Sequence, residues 1–104
     1  MHAVKRIEII SDSVELGKIV ESLEKSKVSS YTVIRNVGGK GIKGTLSNDL
    51  DMSRMENDYV LAICAPEHVK SVVETVRPIL NRFGGICLIS DAMEIRSMQC
   101  VASL

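Results

Sequence analysis

The 104 residues are one domain's worth of chain, so residues 1–104 are expected to form a single domain. Apolar residues make up 45 % and aromatics 3 %, with no Trp, so the core has to be built from Val, Ile and Leu. Thirteen basic residues balance thirteen acidic ones to a formal charge of zero, which argues against a general nucleic-acid binder. No run approaches the ~18 apolar residues of a membrane span, and Met1 to Arg6 lacks the apolar stretch of a signal peptide, so a cytoplasmic protein is expected.

Val4 to Ser11 reads as a strand. Ser11, Asp12 and Ser13 then offer N-cap side chains, and Leu16, Ile19, Val20 and Leu23 recur at helical spacing, which predicts a helix to about Lys27. Tyr31 to Val37 is a β-branched second strand. A long loop follows over about residues 38–57. Asp58 to Cys64 is a third strand. Pro66 suits the first turn of a second helix, whose stripe is Val69, Val72, Val73, Val76, Leu80 and Phe83. Pro78 should kink that helix or loosen its last turn. Gly84 and Gly85 end it, Ile86 to Ser90 is a fourth strand, and Asp91 to Leu104 is a tail of open form.

The loop opens with Gly38-Gly39-Lys40-Gly41-Ile42-Lys43-Gly44. Glycine lets backbone N–H groups approach a ligand closely, and lysine brings positive charge, so the combination suits a phosphate or another small anion. N–H groups of Gly38, Gly39 and Gly41 would donate to it, and Lys40 would add charge. The pattern is not a Walker A loop, because Thr45 follows Gly44 with no intervening Lys and no helix follows. On its own it also fits a flexible hairpin loop. Asp49, Asp51, Glu56 and Asp58 lack the EF-hand pattern and read as loop solubility. His68 has no second ligand at metal spacing and reads as a surface histidine, and no metal site is expected. Cys64 and Cys87 sit in apolar runs as small hydrophobes, while Cys100 lies in the tail. No catalytic triad has supporting context, so an enzyme is not expected.

The order is β-α-β-β-α-β, an α+β, ferredoxin-like arrangement with both helices on one face of an antiparallel sheet. The other face should then be polar. Instead the third strand alternates Tyr59, Leu61, Ile63 with Val60, Ala62, Cys64, and the fourth alternates Ile86, Leu88 with Cys87, Ile89. Strands apolar on both faces need cover on both, which predicts an oligomer assembled through the sheets.

That order, with a long loop between strands two and three, resembles the PII signalling superfamily from Lys5 to about Arg96. Ser30-Tyr31-Thr32-Val33 leading into Gly38-Gly39-Lys40-Gly41 is similar to PII-like proteins linked to inorganic-carbon uptake, the bicarbonate-transporter-associated and carboxysome-associated members. The resemblance implies a homotrimer whose T-loop lies at about residues 38–57. It implies an adenine nucleotide (ADP, AMP, ATP or cyclic AMP) in inter-subunit clefts, with bicarbonate as a further ligand. Tyr31 and Thr32 would hold base and ribose. Gly84, Gly85 and Ile86 stand in the place of the B-loop, and Arg96 would clamp phosphate from a neighbouring subunit. The implied partner is a membrane bicarbonate transporter or a carboxysome-linked protein. Standard nitrogen-regulatory members carry a Gln near the loop start, a Tyr in the loop and an Asp-Gly-Lys B-loop. None of these is present here, which favours the divergent PII-like branch over a 2-oxoglutarate sensor. The alternatives are a nitrogen-regulatory PII protein, a metal-tolerance trimer of the same fold without nucleotide, and an ACT-type domain, whose corresponding loop is short.

Overall fold

The structure, a computed structural model, describes residues 1–39 and 56–96. Four strands, β1 (His2–Asp12), β2 (Val28–Val37), β3 (Asn57–Cys64) and β4 (Ile86–Glu94), form one antiparallel sheet in the order β2-β3-β1-β4. Two helices, α1 (Leu16–Lys25) and α2 (Val69–Phe83), connect them in the β-α-β-β-α-β order of a ferredoxin-like fold. Each helix follows a 3-10 turn, Ser13–Glu15 before α1 and Pro66–His68 before α2. No helix among the described residues is long and apolar enough to cross a membrane.

The core forms where the helix stripes meet one sheet face. Ile19 and Leu23 of α1 and Val72 and Val76 of α2 pack with Ile7, Ile9, Val60, Ala62 and Cys64, all essentially without solvent exposure. The register puts Ile7 opposite Ala62 and Ile9 opposite Val60, so these side chains share that face. The opposite face carries Leu61 and Leu88 on either side of Glu8, and Tyr59 and Ile86 on either side of Ile10. Leu88 is 58 % exposed and Ile34, on the same face beside Tyr59, is 54 % exposed. The apolar second face read from the strand alternation is therefore present, and among the described residues no element packs over it.

Several boundaries differ from the sequence reading. Asp12 alone makes the N-terminal cap, accepting the Val14 N–H at 2.9 Å. The helix α1 stops at Lys25 because Ser26 turns extended, and its N–H and hydroxyl both bond to the Leu23 carbonyl. The strand β2 begins three residues early, and β4 runs four residues past Ser90, because β1 is long enough to pair it as far as His2 opposite Glu94. By contrast, α2 runs through Pro78 to Phe83 and ends at Gly84, where the two glycines are expected to stop it. The Pro78 ring side is exposed, and only one intrahelical N–H is lost.

Candidate functional site

The two ends of the long loop are fastened at one end of the sheet. Between Ile34 and Val37 the β2–β3 register shifts, and Asn36 within the shift has φ 63°. Asparagine tolerates this left-handed conformation better than other side chains. The Asn36 N–H donates to Asp58 Oδ1 at 2.9 Å, and Arg35 Nε lies 3.6 Å from Asp58 Oδ2. Asp58 itself is fully buried. It is thus a structural anchor of the loop root, which corrects its sequence reading as loop solubility. A second fastening joins the Ser13 N–H to the Glu56 carbonyl at 2.7 Å. Asn57, read as the last loop residue, is the first residue of β3, opposite Asp12.

Gly38 and Gly39 extend from β2 at this root, both exposed. Among the described residues nothing stands within 4 Å of where a Gly39 side chain would begin, and its φ is not left-handed, so the described part of the fold does not require glycine there. Open backbone of this kind leaves room for a ligand to reach the main chain. Lys40 and Gly41 lie outside the described residues. The Arg35 guanidinium, more than half exposed, brings a cation to the same root, fixed on one side by Asp58.

Gly84 and Gly85 stand at the same end of the sheet and have clear structural tasks. The Gly84 N–H bonds the Leu80 carbonyl at 2.8 Å with φ 84°, closing α2. At Gly85, φ is 127° and a side chain would meet the Ile10 carbonyl oxygen at 2.8 Å. This close approach delivers Ile86 into β4 opposite Ile10 on the open face. Beside them, Lys18 Nζ and the Arg82 guanidinium lie 5.0 and 5.3 Å from the centre of the Phe83 ring.

Tyr31 and Thr32 point to opposite faces, Tyr31 beside Ala62 and Thr32 beside Leu61. The Tyr31 ring packs on the helix-covered core and its hydroxyl donates to Glu24 Oε2 at 2.7 Å. That bond, with the Glu24 charge, raises the phenol's pKa. Thr32 is exposed on the open face. Arg96 lies just past the far end of β4, roughly 30 Å from Ile86 at strand rise. Its Nε is 3.5 Å from Glu94 Oε1, an oxygen that also lies 2.8 Å from His2 Nε2. One subunit therefore brings Gly38, Gly39, Gly84, Gly85 and Ile86 to one end and leaves Arg96 at the other.

The sequence reading missed Arg35, Asn36 and Asp58. The available signal was the Asn that interrupts a β-branched run just before Val37-Gly38-Gly39. Among the described residues no group of three or more His, Cys, Asp or Glu is arranged to hold a metal.

A four-stranded sheet with two helices on one face and a fastened connection between its second and third strands defines the architecture of a ferredoxin-like domain. The model of the family described as Nitrogen regulatory protein P-II matches residues 4–99, and the chain belongs to that family. Among curated proteins, no sequence matches the chain. Among solved structures it is similar to CPII, a nitrogen regulatory PII-like protein from Thiomonas intermedia bound to ADP, AMP and bicarbonate. Identity is 22 %, the match covers 93 % of this chain and 98 % of that one, and the TM-score is 0.76. CPII bound to ADP, AMP and acetate matches at 23 % identity over 91 % of both chains, with a TM-score of 0.74. The B. subtilis GlnK–ATP complex matches at 20 % identity over 88 % of this chain and 84 % of that one, with a TM-score of 0.62. At these identities the likeness is one of fold.

Proposed function

We propose that this chain is a PII-like signal-transduction protein that binds an adenine nucleotide between subunits of a homotrimer and acts on a partner through its long loop. The observation that carries this reading is the division of the candidate residues between the two ends of a subunit whose second sheet face is apolar and open. Packing three subunits through that face would bring Arg96 of one towards Gly38, Gly39 and Ile86 of the next, so the cleft is completed only by assembly. Arg suits the phosphate end through its planar fork of donors. Thr32, exposed on the open face, would meet the nucleoside end, while Tyr31, bonded to Glu24, would support the cleft from the helix side. The ligand would be ADP, AMP, ATP or cyclic AMP, with bicarbonate as a second ligand. CPII, bound to ADP, AMP and bicarbonate, supports this choice. Nucleotide would bind two states of the loop unequally and so shift which one meets the partner. The partner is a bicarbonate transporter or a carboxysome-linked protein in the cytoplasm, and the role is signalling without catalysis.

Calorimetric titration with ATP, ADP, AMP, cyclic AMP, bicarbonate and 2-oxoglutarate tests the reading, alongside light scattering for the trimer. Adenine-nucleotide binding without a 2-oxoglutarate response is expected. Lys40→Ala should weaken the anion by about 1.5–3 kcal/mol, as for a charge-assisted hydrogen bond. A strong 2-oxoglutarate response would favour the nitrogen-regulatory alternative, and no nucleotide binding would favour the metal-tolerance one.

A further inference from the structure

A cavity of about 330 Å³ opens between α2 and β4, on the helix-covered side of the sheet and away from the loop root. It exists because α2 does not reach over the edge strand. Ile89 shares a face with the buried Ile7 and Ala62, yet it remains 45 % exposed. The floor and walls are Ile7, Val72, Val76, Cys87 and Ile89. This size and apolar character fall in the range of small-ligand sites, about 300–1,000 Å³.

The polar groups of the lining choose the ligand. Arg77 and Asn81 line the cavity from α2, four residues apart and so on one flank of the helix. Both are exposed, and Arg77 makes no ion pair among the described residues. A guanidinium and an amide at the rim of an apolar recess match a carboxylate carried on an alkyl chain. A recess walled by helix and strand suits such a chain better than a flat protein surface.

We propose that this cavity binds an aliphatic monocarboxylate, with the alkyl chain among Val72, Val76 and Ile89 and the carboxylate on Arg77 beside Asn81. None of the lining residues is itself among those proposed for the nucleotide, although the Leu80 carbonyl accepts the Gly84 N–H and Cys87 follows Ile86, so nucleotide binding is measured beside it as a control.

The test uses octanoate as the probe and octanol as its uncharged counterpart, with the full chain followed by NMR titration. Octanoate should shift Val72, Val76 and Ile89 resonances and slow maleimide labelling of Cys87, read by peptide mapping. Arg77→Gln should weaken octanoate about tenfold, the scale of one charge-assisted contact, and leave octanol unchanged. Val73→Phe, which fills the cavity from α2, should remove both ligands, and ADP titration should be unaltered in both variants. Octanoate that leaves these resonances unmoved at millimolar concentration overturns the proposal, as does equal loss of octanol in Arg77→Gln. A Val73→Phe variant that changes the assembled mass while keeping octanoate affinity would make the recess a contact between copies instead, and would overturn it too.

Discussion

Asp58 is a carboxylate without solvent exposure, and its two oxygens are turned to the Asn36 N–H and the Arg35 guanidinium. Asp58→Ala takes the acceptor from the Asn36 N–H, while Arg35, more than half exposed, stays solvated, so the loss should be about 1–3 kcal/mol, measured by urea unfolding. Asp58→Asn keeps an acceptor for Asn36 and should lose less. Sequence position hid this role, because Asp58 follows a polar stretch and a charged residue there reads as solvated. Its burial comes from tertiary pairing, with Ser11 opposite it on β1. Gly85 was half legible: two glycines after a helix announce its end, but the approach to the Ile10 carbonyl depends on β1, 75 positions away in sequence. Gly85→Ala should destabilise by about 1–3 kcal/mol through the strained φ and that contact, seen as a lowered melting temperature.

The order and type of the elements could be read from periodicity, because β-branched runs and a 3.6-residue stripe are local signals. Their ends could not. The extension of β4 to Glu94 depends on the length of β1, and the early start of β2 on Ser26 ending α1. Tyr31 and Thr32 were read together as one ligand-holding pair, yet strand alternation sends them to opposite faces. On the open face, the Tyr59 hydroxyl donates to Glu8 at 2.7 Å, and this bond raises its pKa above the ordinary value near 10, with burial and the Glu8 charge adding and Arg6 opposing. Below that ordinary value the folded and unfolded chains both hold the proton, and the contribution is complete. Above it the unfolded chain loses the proton first, so stability falls as pH rises towards the folded pKa. Tyr59→Phe should flatten this alkaline decline in denaturation midpoints measured between about pH 9 and 11.

At the scale of the whole molecule, the face that no described element packs over is where the proposed trimer would assemble. Leu61 and Leu88 flank Glu8 there, and soluble monomers rarely leave such a surface open. Leu61→Asp should lower the mass measured by light scattering from trimer to monomer while circular dichroism of the subunit is retained. A trimer that persists in this variant would place the subunit contact elsewhere. The need for cover was legible in the alternation of the strands, but the division of Gly38, Gly39 and Arg96 between opposite ends of the subunit required the strand directions.

The fastening of the loop root has a consequence for how the chain can change. The bonds from Asn36 to Asp58 and from Ser13 to Glu56 close the sheet end between described residues on either side of the span 40–55. Chain closure depends only logarithmically on length, so shortening that span fourfold alters the closure entropy by about 1.2 kcal/mol. On this closure term, a change in the length of the span costs little for folding. On the proposed reading, in which this span meets the partner, exchange of the span would change the partner at little cost in chain closure.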